Sequence, residues 1–208
     1  MRKIVTYVMG ALMALFTAQG VQAQTVGIKT NLVSDGLMSP NLGIELGLAP
    51  RWTMQFEGQW NNWGVTDKGS DLVHQWNHWY ASVEPRYWFC QKFAGHFISI
   101  NVFGGEYDFA HLGLNFKFLN NDFRGLNSNR YKGLAAGAGF NWGYAWAVAK
   151  HWNIEFEVGV GWIWTRYDKY GIGKDAAGQP VDRDLKLERG YHNYVGPTKL
   201  ALSVEYLF

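Results

Sequence analysis

The final fourteen residues constrain this chain more than any other stretch. From Val195 it reads VGPTKLALSVEYLF and stops on Phe208. Thr198, Leu200, Leu202, Val204, Tyr206 and Phe208 fall on one face, and Lys199, Ala201, Ser203 and Glu205 on the other. Period-two alternation marks a strand with one apolar and one polar face. Left unpaired, such a strand is a sticky edge. Pairing it with the first strand removes that edge and predicts a closed sheet. An apolar outside, a polar inside and a terminal aromatic residue suit a strand of an outer-membrane barrel. Leu202, Val204, Tyr206 and Phe208 are then the expected C-terminal signal for barrel-assembly machinery.

Seven further segments alternate in the same way. Val26, Ile28, Thr30 and Leu32 oppose Gly27, Lys29 and Asn31. Leu42, Ile44, Leu46 and Leu48 oppose Gly43, Glu45 and Gly47. Trp52, Met54, Phe56 and Trp60 oppose Thr53, Gln55, Glu57 and Gln59. Trp79, Ala81, Val83, Tyr87 and Phe89 oppose His78, Ser82, Glu84 and Arg86. The fifth segment, His96 to Tyr107, is the least regular, because Phe97 and Phe103 oppose Ile98, Ile100 and Val102. The sixth runs from Tyr131 to Ala147, and the seventh starts at Trp152. Short turns at Ala49-Pro50-Arg51, after Phe89 and at Lys150-His151 alternate with long connections at 61–75, 108–130 and 168–193. Short periplasmic turns and longer extracellular loops are the expectation for an outer-membrane barrel, with both termini periplasmic.

The predicted class is therefore all-β: an eight-stranded antiparallel transmembrane up-and-down β-barrel with an N-terminal signal peptide. Arg2 and Lys3, an apolar run from Ile4 to Phe16 and the small-residue site Val21-Gln22-Ala23 define that signal. The expected division is a signal peptide over 1–23 and a single barrel domain over 24–208. Charged residues make up only 17% of the chain, fewer than a soluble surface wants, and the near-neutral balance of +2 argues against nucleic acid. The one cysteine, Cys90, has no internal disulfide partner. An interfacial packing role is expected for it.

Volume decides which face points out. Eight strands enclose just enough space for side chains or one small ligand. The Trp- and Phe-rich face would crowd that space, whereas the Gly-, Ala-, Ser- and Asn-rich face fits it. The predicted lumen then holds Lys29, Glu45, Glu57, Glu84, Arg86, Glu155, Glu157, Lys199 and Glu205. Such charges must pair or stay wet. They form either a polar plug or, since acids outnumber bases, a cation-attracting pore. Trp52, Trp60, Trp79, Trp146, Trp152, Trp162 and Trp164 are the expected aromatic girdle against outer-membrane lipid. Trp63, Trp76, Tyr167 and Tyr194 join Trp60 and Trp79 in the outer tier in the simplest reading; stacking on sugar from the cell surface is the sharper alternative for this group.

No stretch reads as a catalytic or cofactor motif. His74 and His78 lack a third metal ligand. Gly171-Ile172-Gly173-Lys174 is followed by Asp175 and lacks the spacing of a phosphate loop. Asp175, Asp182 and Asp184 do not have the spacing of a calcium-binding loop. The expectation is a non-enzymatic protein without metal or cofactor.

IKTNL at Ile28, SPNLGIELGL at Ser39, RWTMQFEGQWNNW at Arg51, EPRYWFCQKFAGHFI at Glu84, the run from Tyr131 to Tyr144, KHWNIEFEVGVGW at Lys150 and YVGPTKLALSVEYLF at Tyr194 together resemble a family of small Bacteroidetes outer-membrane barrels that carries a domain of unknown function. The resemblance implies the barrel fold and the outer-membrane address. It supplies no catalytic residues. It also implies a surface role, with a surface or fimbrial protein as possible partner and anchoring or loop presentation as the activity. A narrow channel and a lipid-modifying enzyme are the alternatives.

Overall fold

The computed structural model describes residues 25–62, 64–66, 73–110, 117–118, 121–122, 129–174 and 180–208. The expected signal segment, 1–23, lies outside the described residues, as does Trp63. So do Asp175 and the side chains of His74, Asp182 and Asp184.

Eight antiparallel strands form one ring-like sheet. They are β1 (Val26–Asn31), β2 (Asn41–Ala49), β3 (Trp52–Asn61), β4 (Val73–Trp88), β5 (Gly95–Ala110), β6 (Asn129–Ala149), β7 (Trp152–Lys174) and β8 (Pro180–Leu207). Each pairs with its neighbour in sequence, and the last pairs with the first. Ile28 lies opposite Tyr206 and Lys29 opposite Glu205, so the C-terminal strand has no free edge. A short segment, Gly64–Thr66, extends the ladder on β4, and Lys117–Phe118 pairs with Asn121–Asp122.

Several segment boundaries differ from the sequence expectation. The first strand ends at Asn31, and Leu32–Gly36 is a short helix, α1. Asn31 caps it: its side-chain oxygen accepts from the Val33 amide. Leu32 is thus a helix residue and not the last outward residue of β1. The stretch 168–193, expected as a loop, is largely a two-stranded ribbon, because β7 runs to Lys174 and β8 starts at Pro180. Strand pairing continues well above the region where apolar alternation is visible, held by backbone bonds and by ion pairs. Likewise β5 reaches Ala110 and β6 begins at Asn129.

One further residue changes sides. Gly159 faces Lys199 and Val160 faces Pro197, so Thr198 is an extra, unopposed residue of β8. A bulge of this kind re-aims a side chain. The Thr198 hydroxyl lies beside Gly139 in the interior, and not on the outer face that simple alternation assigns it.

The interior is narrow, and its packing pairs rings with glycines. Phe97 lies opposite Gly143, Phe103 opposite Gly137 and Tyr167 opposite Gly190. A Cβ at Gly137 would come within 2.6 Å of the Phe103 ring, and one at Gly190 within 2.6 Å of the Tyr167 ring. A ring on one strand fills the volume its glycine partner leaves. A Cβ at Gly143 would overlap both the Phe97 ring and the Phe156 carbonyl. Gly143→Val should therefore destabilise the fold by about 1–3 kcal/mol, read from denaturant unfolding in detergent. Adding Phe97→Ala should recover part of that loss and no more, because the Phe156 carbonyl stays in place.

Candidate functional site

The alternation puts polar side chains inside, and the register then decides which of them meet. At the level of β1 residue 29 and β7 residues 155–157, three cations and six carboxylates converge. Arg86 sits at the centre. Its Nε donates to Glu84 at 2.7 Å, Nη1 to Glu45 at 3.0 Å and Glu155 at 2.9 Å, and Nη2 to Glu157 at 2.7 Å. Lys29 bridges Glu45, Glu155 and Glu205. Lys199 bridges Glu84, Glu157 at 3.0 Å and Glu57 at 3.8 Å. All nine residues named from sequence as the lumen set thus meet in one network. Arg86, Glu45, Glu84, Glu157 and Glu205 are fully buried.

These charges come from β1, β2, β3, β4, β7 and β8. The remaining two strands join through amides and hydroxyls. The Ser99 hydroxyl of β5 donates to Glu157 at 3.5 Å, and Asn141 of β6 donates to Ser99 at 3.1 Å. Every strand is therefore tied to the interior.

Below the network, toward the short turns, the ring is stopped by aromatic residues. Trp88 and Phe97 are fully buried with centroids 4.7 Å apart, and Phe93 closes over Trp88. The Arg86 guanidinium lies 4.5 Å from the Phe97 ring centroid, a cation–π contact in a dry site. Trp88 Nε1 donates to Thr53 at 2.9 Å. Phe93 has φ 64°, an uncommon value for a side chain of that size. Asn153 holds it there by donating to its carbonyl at 2.7 Å. Sequence reading missed this stopper, although the irregular phase of Phe97 in the fifth segment carried its signal.

A cavity of about 460 Å³ lies toward the loop end, and outward-facing side chains such as Trp60, Trp79, Glu106, Leu134 and Arg166 make up much of its lining. Asn61, His78, Tyr107, Gly133 and Tyr167 line it and occupy one continuous register row across β3 to β7. Trp76 stacks on Phe109 at 4.4 Å and donates its indole N–H to buried Ser39. Tyr167 packs against Tyr131 at 5.4 Å. Trp76 and Tyr167 thus belong to the inner wall and not to the outer girdle suggested by their sequence neighbours. The Tyr194 hydroxyl donates to the Pro197 carbonyl across the bulge. The rim is braced by ion pairs: Arg130 grips Asp108 with two donors at 2.7 Å, and Arg189 and Lys186 both hold Asp168. Hydrogen bonds from Arg189 and Lys186 keep the Asp168 carboxyl well below the usual carboxylate range.

The outside is apolar. Trp52, Trp60, Trp79, Trp146, Trp152 and Trp162 are each close to half exposed or more, while Trp164 is partly covered and stacks on Tyr191. Trp52, Trp146 and Trp152 sit near the short turns; the other four lie toward the loop end. At the C-terminal end of the chain, Leu202 and Phe208 are exposed, and Val204 and Tyr206 are partly covered. Tyr206 packs against Trp152 and Phe208. Cys90 is exposed in the turn between β4 and β5. Among the described residues, no group of three His, Cys, Asp or Glu side chains is arranged to hold a metal ion.

An eight-stranded ring with its charges inside and its tryptophans outside, lacking a metal cluster among the described residues, defines a class by architecture and not by chemistry. A family model described as a protein of unknown function, DUF3575, matches residues 8–208, and the chain belongs to that family. Neither the curated proteins nor the solved structures compared with the chain give a match.

The network yields a direct expectation. Arg86→Met leaves four buried carboxylates short of a partner and should cost about 3–5 kcal/mol in denaturant unfolding. Arg86→Lys should not restore the loss, because a single ammonium cannot reproduce the planar fork that spans four acids.

Proposed function

We propose that this chain is an outer-membrane β-barrel that acts as a surface-interaction or anchoring protein and not as a conduit or a catalyst. The reversal of burial carries the reading. Glu45, Glu84, Arg86, Glu157 and Glu205 are fully buried, whereas Leu48, Trp60 and Val195 are more than 60% exposed. Water favours the opposite arrangement, and a contiguous exposed apolar surface needs an apolar partner. Hydrocarbon between two interfacial tiers of tryptophan satisfies it. A spanning strand needs about 9–11 residues. β7 and β8, at 23 and 28 residues, have length left over to stand above the bilayer as a ribbon. The short turns and both chain termini then face the periplasm, and residues 24–208 form the mature domain after removal of 1–23.

The interior supports the non-conducting reading. Nine charges paired in one network and the buried rings of Trp88 and Phe97 below them favour a filled lumen over a conducting one. The loop end and the ribbon are the remaining surfaces with distinctive chemistry, so partner capture belongs there. Family resemblance adds a surface or fimbrial protein as the class of partner, and lipid and the barrel-assembly machinery as its membrane contacts.

Cys90 supplies a probe of placement. A membrane-impermeant maleimide should leave Cys90 unlabelled in intact cells and label it after the outer membrane is permeabilised. Glu188→Cys in a Cys90→Ser background should be labelled in intact cells. Labelling of Cys90 in intact cells would reverse the orientation, and recovery of the chain in the soluble fraction would remove the reading. Shortening the ribbon by deleting 172–186 should abolish co-purification of a surface partner in detergent while insertion persists. Capture that survives the deletion would exclude the ribbon.

A further inference from the structure

The outer face of the tall side carries charge beyond its tryptophans. Along β7 the outward residues run Trp162, Trp164, Arg166 and Asp168, and on β6 Lys132 lies two residues beyond Leu134 toward the loop end. Leu134 is opposite Arg166, and Lys132 is opposite Asp168. Lys132 and Arg166 are therefore diagonal neighbours on one face, about 7–8 Å apart at their backbones. Both are exposed.

The acids beside them are engaged elsewhere. Asp168 faces Lys132 across the ladder, yet Arg189 and Lys186 hold it at 2.8 and 2.7 Å. Asp108 faces Lys132 from the other side, and Arg130 holds it at 2.7 Å. Glu106 accepts from the Trp79 indole at 3.1 Å, and Leu134 stands between it and Arg166. Among the described residues, neither Lys132 nor Arg166 has a hydrogen-bond or ion-pair partner. Five cations thus meet three carboxylates on this patch, a surplus of two positive charges. Neighbouring like charges on a sheet face repel. An anion within reach of both relieves that repulsion.

Height narrows the source of the anion. Arg166 lies four residues beyond Trp162 of the loop-end tier, about 14 Å along the strand. At a strand tilt of about 40° the rise is about 10 Å. The polar interface of an ordinary bilayer is about 5–8 Å deep on each side. The two cations therefore stand at the level of a head group taller than a phospholipid's, such as a phosphate mounted on sugar. Arg offers a phosphate paired N–H donors, and Lys a compact point charge. Lys132, Leu134 and Arg166 also border the cavity of about 460 Å³, a recess of the size that holds a small ligand.

We propose that Lys132 and Arg166 clamp a phosphate on the sugar head group of an outer-leaflet glycolipid. The inference rests on the outer-membrane reading above and adds the lipid that the chain meets there.

The test uses the full folded chain in detergent, titrated and followed by native mass spectrometry. The probe is a diglucosamine glycolipid carrying phosphate on both sugars. The comparisons are the same lipid after phosphatase treatment, phosphatidylglycerol, and inorganic phosphate as competitor. Saturable binding of the phosphorylated glycolipid is expected. Removing its phosphates, or combining Lys132→Gln with Arg166→Gln, should weaken binding by about tenfold or more, as loss of charge-assisted contacts requires. Arg51→Gln, in a turn at the opposite end of the ring, should leave it unchanged. If the double variant does not fold, judged by its migration on unboiled gels, the phosphatase comparison on the unaltered chain decides. Equal binding of the dephosphorylated lipid overturns the inference, as does binding that the double substitution leaves intact. Phosphatidylglycerol bound as tightly overturns the glycolipid assignment, and displacement by equimolar inorganic phosphate overturns the lipid one. A chain that never reaches the membrane fraction removes the outer-membrane reading and this inference together. A chain that inserts and fails these comparisons removes this inference alone.

Discussion

The buried guanidinium of Arg86 is the contact on which the rest of the structure depends. It touches four carboxylates from three strands and one aromatic face. An isolated charge in that position would be untenable, and so would the six acids around it. Their mutual satisfaction lets a narrow ring be polar inside, which in turn frees its outer face to be apolar. The two faces are one decision: period-two alternation cannot set the first without setting the second.

That decision also fixes what the interior can do. Eight strands leave little volume, and here it is divided into three levels. A stopper of Trp88, Phe93 and Phe97 closes the turn end, the charge network fills the middle, and Trp76, Phe109, Tyr131 and Tyr167 pack toward the loop end. Glycines on β6 make room for rings on β5, so the wall itself is packed like a core.

The tall side of the ring, β7 and β8, carries the rim. Beyond the apolar stretch its pairing depends on backbone bonds and on the Asp168 cluster with Arg189 and Lys186. Those exposed ion pairs are individually weak. They matter as spacers that keep the ribbon in register, and the register keeps Tyr167 over Gly190 and beside the cavity.

Much of this was legible from residue order alone. Alternation determined the number of strands, the short turns, the outward tryptophans and the nine inward charges, because a strand's faces repeat every two residues. Membership of a family with a domain of unknown function was legible in residues distributed along the whole chain. Tertiary structure alone decided which charge meets which, since partners such as Lys29 and Glu155 are 126 residues apart and only the strand register brings them together. It also decided the inward turn of Thr198, which needs a bulge that local alternation cannot show. The stopper belongs to the same category: Trp88 and Phe97 read as ordinary aromatic residues until the strand register sets them opposite each other.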